Sequence, residues 1–265
     1  MGPGVRGSPP GSWPADVPAS AHLFVDPAAG ESLADMLDVG GEDGHHLARV
    51  LRLRAGETVT IADGTGGWRP YRVGSGDRGP AAVVHLEASG ELDQEPALSP
   101  RLAVAFALTK GDKPELVVQK LTELGVDRIV PVLAERSVSR PDPSRAGAAA
   151  DRWRRIVREA ARQCRRATLP AVEDLAPLAT LAGHPGLVVA ERGGEPAQGL
   201  GSPTGDEILV VIGPEGGLTD AEAADLKPWA RLDLGPHILR AETAALAAAA
   251  LLAAGRPRPG GRPPT

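Results

Sequence analysis

Two glycine-containing segments near the end of the chain carry residue types suited to binding a small molecule. They read VVIGPEGGL over residues 210–218 and LGPHILRAETA over residues 234–244. Glycine accepts positive φ and places no side chain between a ligand and the main chain, so backbone N–H and C=O groups can bond a flat heterocycle directly. Together the segments predict a cofactor site. The first one alone is equally consistent with a tight turn that binds nothing.

The first segment joins a predicted strand to a predicted helix. Residues 208–212 form an apolar, β-branched run typical of a buried parallel strand. Thr219 then suits a helix N-cap, and Glu222 follows three residues later as in a capping box. The loop has no Gly-Lys-Ser/Thr ending and no Gly-x-Gly-x-x-Gly spacing, which argues against a phosphate-cradling loop.

Arginines are concentrated in a helix predicted over residues 151–168. Between residues 152 and 166 the acid Glu159 stands among seven of them, at 152, 154, 155, 158, 162, 165 and 166. Spacings of three and four place Arg155, Arg158, Arg162 and Arg166 on one face, where like charges repel by about 0.2–0.5 kcal/mol per pair. An RNA phosphate backbone would relieve that repulsion, although a charge run is often only a solvated face.

Composition bounds the remaining possibilities. The 265 residues suffice for two domains, and a net charge of −5 gives no overall nucleic-acid signature. The longest apolar stretch, residues 243–254, is too short to span a membrane, and the proline- and glycine-rich start does not resemble a signal peptide. The lone cysteine, Cys164, favours a cytoplasmic setting.

The elements that position these residues fall into two blocks with tails. Residues 1–20 and 255–265 are rich in proline and glycine, which predicts disordered tails. Residues 21–90 carry short alternating runs and turn signals, which predict a small β-barrel, and residues 91–100 form a linker. Residues 101–254 alternate strands with helices, which predicts an α/β domain with a parallel sheet. Ligands bind beyond the carboxyl ends of such strands, where both glycine segments lie.

Five motifs give the chain a family resemblance that covers residues 22 to 254. GPEGGLT, LGPHILRAETA, TKGDKPELVVQKLTELGVDRIVP, EAARQCRRATLP and GHHLARVLRLRAGE together resemble the RsmE family of 16S rRNA uridine-N3 methyltransferases. That family belongs to the SPOUT class, whose α/β domain has a trefoil knot, here preceded by a PUA-like β-barrel. Leu218 stands where the family usually has Phe, and Ala241 where Thr is common.

The resemblance implies a site for S-adenosylmethionine. Three loops would cup it, with apolar walls from Leu234, Ile238 and Leu239 and with backbone groups of Gly213, Gly217, Gly235 and Leu239 on the adenine edge. The full set of implied cofactor-binding residues is Glu191, Gly213, Pro214, Glu215, Gly216, Gly217, Leu234, Gly235, Ile238, Leu239, Arg240, Glu242 and Thr243.

Transfer of a methyl group to uracil N3 is an in-line displacement that needs positioning and stabilisation of a uracil anion. Arg166 and Arg240 are the candidate catalytic residues, because arginine stays protonated and can face both carbonyl oxygens. For Arg240, a salt bridge to Glu242 or Glu215 that only fixes the loop is an equal alternative. Either acid could also serve as general base, and the sequence does not decide between them.

The implied partners are 16S rRNA, in the small ribosomal subunit, and a second copy of the chain. No membrane and no metal are expected, because His45 and His46 lack a second ligand cluster. Two other functions stay open: a ribose 2′-O-methyltransferase of the same class and a non-catalytic, RNA-binding ribosome assembly factor. The candidate RNA-binding residues are His46, Arg49, Arg52, Lys110, Arg155, Arg158, Arg162 and Arg166.

Overall fold

The computed structural model describes residues 13–26, 32–74, 83–109, 111, 113–201, 203 and 205–257. The chain divides into two compact units. The first comprises residues 1–97 together with residues 161–169, and the second comprises residues 98–160 together with residues 170–265. The first change of unit, between residues 97 and 98, falls inside the predicted linker 91–100, whereas residues 161–169, which the sequence analysis places in the α/β domain, group with the first unit.

The first unit is built on a six-stranded sheet. Its strand order is β1-β3-β4-β5-β2, with β6 paired to β4, and all pairs are antiparallel except β1 with β3. A short helix α1, Gly41–His45, continues as a π-helical turn over His46–Val50. The strands are β1 Ala21–Phe24, β2 Met36–Val39, β3 Thr58–Ala62, β4 Gly67–Val73, β5 Val84–Ala88 and β6 Asp93–Gln94.

Residues 13–20 are ordered within this unit, so the predicted disordered tail is wrong there. Pro14–Asp16 form a 3-10 helix with Pro14 buried, and the Ser20 N–H donates to the Thr58 carbonyl at 2.8 Å. The Arg165 guanidinium donates to the carbonyl oxygens of Val17 and Ala19. Residues 1–12 lie outside the described residues.

A buried histidine links the same unit to its second chain segment. His22 contacts the Thr60 hydroxyl through Nδ1 at 2.7 Å and the Arg166 carbonyl oxygen through Nε2 at 2.8 Å. A neutral ring satisfies both partners, with Nε2–H donating to the carbonyl and Nδ1 accepting from the hydroxyl. Burial lowers the pKa of His22 from 6.5 to about 4, although the carbonyl contact opposes that shift.

The second unit is an α/β layer structure around a parallel sheet, as predicted. The strand order is β10-β8-β7-β12-β11-β13, with β9 paired to β8. Buried apolar side chains of the central strands form its core. The strands are β7 Arg101–Ala107, β8 Arg128–Leu133, β9 Ala171–Val172, β10 Ala176–Pro177, β11 Leu187–Glu195, β12 Glu207–Ile212 and β13 Ala230–Leu232.

The described residues form four further α-helices: α2 Lys113–Glu123, α3 Pro143–Cys164, α4 Asp220–Leu226 and α5 Ala241–Ala254. They belong to the second unit, except for the last four residues of α3, which fall in the first unit. Helix α5 packs on α2 and on strands β7 and β12. Beyond α5, Arg256 is 6% exposed and its guanidinium donates to Asp127 Oδ2 at 2.6 Å. The predicted disordered tail from residue 255 is therefore wrong for residues 255–257, and residues 258–265 lie outside the described residues.

Helix α3 begins before and ends before its predicted bounds of 151–168. Asp142 Oδ1 accepts from the Arg145 backbone N–H at 3.0 Å, which makes Asp142 the N-cap and Pro143 the first helical residue. At the other end, Arg165 has φ 57° and the Arg166 N–H donates to the Ala161 carbonyl at 3.0 Å. This is a Schellman-type end, so Arg166 lies beyond the helix.

Candidate active site

A cavity of about 360 Å³ lies in the second unit, beside the carboxyl ends of β12 and β13 and the middle of β11. This is the edge at which parallel α/β sheets bind ligands. Three loops line it, as the resemblance implied. The predicted residues that line it are Glu191, Gly213, Pro214, Glu215, Gly217, Leu234, Gly235, Ile238 and Leu239.

Four residues predicted to bind the cofactor do not line this cavity: Gly216, Arg240, Glu242 and Thr243. Eleven others line it that were not predicted individually, although five of them, Ile212, Leu218, His237, Ala241 and Ala244, lie inside the two predicted glycine segments. Several follow a loop residue that was predicted, so continuity along the loops could have found them. The missed residues are Val189, Ala190, Arg192, Ile212, Leu218, Asp220, Ala223, Asp233, His237, Ala241 and Ala244.

The first loop is closed by a hydrogen bond within its own backbone. Gly217 has φ 71°, and its N–H donates to the Pro214 carbonyl at 2.8 Å. The predicted capping box follows at once: the Glu222 N–H donates to Thr219 Oγ1 at 3.2 Å, and the Thr219 N–H donates to Glu222 Oε2 at 2.9 Å. Leu218 packs against the core cluster from this loop.

The second loop is closed by a side chain rather than by a backbone carbonyl. Gly235 has φ 112°, and its N–H donates to Asp233 Oδ1 at 2.9 Å. The N–H groups of Gly217 and Gly235 are therefore committed inside their loops, and only their carbonyl oxygens can bond a ligand. At these two glycines, the backbone groups left for the adenine edge are therefore carbonyl oxygens. A carbonyl oxygen accepts a hydrogen bond and so suits the exocyclic amino group of adenine.

Charge in the cavity is mainly negative. Four acids line it, Glu191, Glu215, Asp220 and Asp233, against one arginine, Arg192, and one histidine, His237. Arg231 forms an ion pair with Glu191 and neutralises part of this charge. Carbonyl oxygens and carboxylates together favour a ligand that carries positive charge.

Arg240 lies at the N-cap of α5, immediately before the helix that follows the second loop. Its side chain is exposed and forms no ion pair with any residue that the structure describes. Glu242 pairs instead with Lys113, at 3.0 Å between Oε1 and Nζ. The alternative in which Arg240 merely forms a salt bridge to Glu242 or Glu215 is thus not realised.

Glu242 stays ionised in this arrangement. Burial acts to raise its pKa, but its own backbone N–H, Lys113 and Arg240 outweigh burial and leave the pKa below the ordinary value. A carboxylate held anionic in this way suits a structural ion pair between α2 and α5. Glu215 is exposed in the cavity loop and remains the second acid considered as a base.

Arg166 belongs to the first unit and does not line the cavity. Its carbonyl oxygen accepts a hydrogen bond from His22, and the positive charge of its guanidinium interacts electrostatically with the buried Glu95. Burial raises the pKa of Glu95, while Arg166 and hydrogen bonds from Thr168 oppose that rise. The prediction that Arg166 shares a helical face with Arg155, Arg158 and Arg162 is wrong, because the helix ends before it.

The remaining candidate RNA-binding residues differ in exposure and in whether an acid already pairs with them. Arg155 is exposed and Arg158 is half-buried on α3, whereas Arg162 is 17% exposed and pairs with Asp43 at 2.8 Å. Arg154 pairs with Asp151 and Asp174. In the first unit, His46 and Arg49 lie in the π-helical turn and Arg52 follows it with φ 54°. Lys110 lies outside the described residues.

No helix in the described part of the chain is long and apolar enough to cross a membrane. Among the same residues, no group of three or more His, Cys, Asp or Glu side chains is arranged to hold a metal ion.

The geometry agrees with comparisons to known proteins. Residues 97–253 match the RNA methyltransferase domain, and residues 39–84 match the RNA methyltransferase PUA domain. Ribosomal RNA small subunit methyltransferase E of Bacillus subtilis is 32% identical over 227 residues, covering 80% of this chain and 88% of that protein. The protein of that name from Mycobacterium bovis is 34% identical over 221 residues, covering 79% and 83%.

Among solved structures, ribosomal RNA small subunit methyltransferase E of Neisseria gonorrhoeae bound to S-adenosyl methionine superposes with a TM-score of 0.72. The two are 28% identical, and the match covers 87% of this chain and 95% of that one. A parallel α/β sheet with this cavity, together with a PUA domain, defines the class as RNA methyltransferase. Within that class, the chain belongs to the ribosomal RNA small subunit methyltransferase E family, which confirms the resemblance.

Proposed function

We propose that this protein transfers a methyl group from S-adenosylmethionine to N3 of one uridine in 16S rRNA of the small ribosomal subunit, in the cytoplasm. The observation that carries the proposal is the cavity of three loops, whose carbonyl oxygens and acids match an adenine amino group and a sulfonium cation. The Neisseria relative, named for small-subunit rRNA and solved with S-adenosyl methionine, supports the same cofactor and substrate.

The cofactor residues have separate tasks in this proposal. Leu234, Ile238 and Leu239 form apolar walls for the adenine ring, and the carbonyl oxygens of Gly217 and Gly235 accept from its polar edge. Glu191, Asp220 and Asp233 supply negative charge near the cationic end. When bound, S-adenosylmethionine supplies an electrophilic methyl group on a sulfonium.

The chain must then place uracil in line with that methyl group and stabilise the anion left when the N3 proton departs. Arg240 is exposed beside the cavity loop and carries a guanidinium that can face both uracil carbonyl oxygens. We assign this role to Arg240 rather than to Arg166, whose guanidinium acts on Glu95 in the first unit. No cysteine nucleophile is needed, because N3 attacks directly once deprotonated.

We further propose that the second unit is knotted and that the protein acts as a homodimer. Support for pairing comes from Leu116 on α2 and Leu251 on α5, which are 45% and 39% exposed on two helices that pack together. Large apolar side chains on adjoining helices suit a second copy of the same surface.

A labelled-methyl assay tests the reaction. The protein is incubated with methyl-labelled S-adenosylmethionine and either free 16S rRNA or small subunits, and the RNA is digested to nucleosides. Label in N3-methyluridine is the expected result. Label in a ribose-methylated nucleoside would instead establish 2′-O transfer, and no label with well-bound cofactor would point to a non-catalytic assembly factor. The Arg145→Ala variant, on the exposed start of α3, serves as a matched control.

A further inference from the structure

Arg136 lies in the loop after β8 (the β8 loop) and is hydrogen-bonded to the first glycine loop. Its Nη1 donates to the carbonyl oxygen of Gly216 at 2.9 Å and to that of Leu218 at 3.4 Å. Neither Arg136 nor Gly216 lines the cavity, whereas Gly217 and Leu218 both do. One side chain thus bonds the carbonyl group that precedes Gly217 and the carbonyl group that follows the Leu218 Cα, and so holds both ends of a two-residue stretch of the cavity wall.

The type of residue at position 216 fits this contact. A Cβ on Gly216 would lie 3.4 Å from both Cβ and Cδ of Arg136, so the aliphatic part of the arginine lies against the glycine. Gly216 has no positive φ that would by itself require glycine. A Cβ at that distance would make ordinary van der Waals contact, so the space does not require glycine, and the contact shows that the Arg136 side chain packs on this part of the loop.

A second hydrogen bond joins the β8 loop to the first turn of α4, the helix that follows the glycine loop. The Glu135 N–H donates to Glu222 Oε1 at 2.7 Å, while Glu222 Oε2 caps the first turn of α4. Burial acts to raise the pKa of Glu222, but hydrogen bonds from the Thr219 and Glu135 N–H groups, together with Arg136, keep it below its ordinary value. The β8 loop is therefore hydrogen-bonded both to the glycine loop, through Arg136, and to the first turn of α4, through Glu135.

The β8 loop is itself held in shape. Ser137 is buried, and its Oγ accepts from the Ala134 N–H at 2.9 Å. Arg140 donates to the Ala134 carbonyl at 3.0 Å. Because this loop is braced from within, it can serve as a fixed support against which the glycine loop is positioned.

We propose that Arg136 is a positioning residue for the cofactor: it presets the Gly216–Leu218 backbone and so holds Gly217 and Leu218 in place in the cavity wall. The inference rests on the proposed cofactor. It assigns Arg136 no contact with S-adenosylmethionine and no part in proton transfer. Loss of the contact leaves the loop to be ordered at the moment of binding, which costs affinity.

The test compares Arg136→Met and Arg136→Lys with wild type and with the control Arg145→Ala. Calorimetry with S-adenosylmethionine should show about a tenfold loss of affinity for Arg136→Met, the order expected of one hydrogen bond from a charged donor. Arg136→Lys, which keeps a charged donor, should recover part of that affinity. The KM for S-adenosylmethionine should rise while the KM for RNA and the unfolding midpoint without cofactor stay unchanged.

Hydrogen exchange in the absence of cofactor separates this inference from the proposed function. The Gly217 N–H, which bonds Pro214, should exchange faster in Arg136→Met than in wild type or Arg145→Ala. Wild-type affinity and wild-type exchange in Arg136→Met would overturn the inference. A wild-type protein that binds no S-adenosylmethionine would overturn the proposed function instead, while the exchange result would still report on the role of Arg136 in ordering the loop.

Discussion

The three glycines of the first cofactor loop have different structural roles. A Cβ on Gly213 would lie 3.3 Å from the Leu218 side chain, and Gly216 packs against the aliphatic part of Arg136. Gly217 adopts φ 71°, which favours glycine. The sequence predicted that glycines here would expose the backbone. It could not predict that Gly213 and Gly217 line the cavity while Gly216 contacts Arg136, because Arg136 is distant in sequence and carries no motif of its own.

Arg240→Ala should reduce kcat about 100-fold or more, the order seen when one donor to a developing anion is removed. The affinity for S-adenosylmethionine should change little, because Arg240 does not line the cavity. Single-turnover methyl transfer and calorimetry measure the two quantities. Equal losses in both would place Arg240 in the cofactor site, and Arg166→Ala, measured alongside, should leave both closer to wild type.

His22 should make the first unit sensitive to mild acid. Its pKa is about 4 when folded and 6.5 when unfolded, so between those values the unfolded chain binds the proton and the folded chain does not. Stability is complete above pH 6.5 and falls as pH drops, by about 2 kcal/mol at pH 5. Urea unfolding at pH 7.5 and pH 5 measures this loss. A His22→Gln variant should be less stable at pH 7.5 but lose less between the two pH values; an equal loss would contradict the assignment.

At the scale of elements, the sequence predicted the strand, loop and capped helix around residues 208–222, because periodicity and capping residues agree there. Helix α3 was predicted less well. Its first turns, residues 143–150, are small and show little apolar periodicity, although Asp142 and Pro143 were a usable start signal. Its end depends on Arg165 adopting positive φ, which the residue type does not favour and tertiary contacts impose.

The arginines of α3 should contribute less to RNA binding than the sequence suggests, because acids already pair with Arg152, Arg154 and Arg162. Arg155→Ala should weaken 16S rRNA binding and lower the slope of log K against log salt by about 1 in magnitude. Arg154→Ala is the matched control, since Asp151 and Asp174 already offset its charge. Filter binding from low to high salt gives both slopes, and identical slopes for the two variants would remove Arg155 from the interface.

At the scale of the whole molecule, the two-block organisation and the parallel sheet were predicted, and the family resemblance was confirmed. The assignment of residues 161–169 to the first unit was not. Sequence reasoning divides a chain into contiguous blocks, and contacts such as His22 with Arg166 and Asp43 with Arg162 join residues more than 100 positions apart. Nothing in local composition marks such pairs.

Leu116→Asp and Leu251→Asp should each convert the proposed dimer to a monomer, because a charge would then be buried in an apolar interface without a partner. Light scattering coupled to size exclusion measures the mass. Met36→Asp supplies a control, since Met36 is an exposed apolar residue of the first unit. A wild-type protein that is already monomeric at micromolar concentration would contradict the dimer.

The inward commitment of the Gly217 and Gly235 N–H groups has a consequence for competition inside a cell. Adenine phosphates share the heterocycle of the proposed cofactor and would meet the same apolar walls. Their polyanionic tails, however, would find carbonyl oxygens and four carboxyl groups where phosphate-binding loops present donors. Because the N–H groups of these two glycines are not available to a phosphate, the cavity should discriminate against adenine phosphates. ATP should therefore be a poor inhibitor even at large excess.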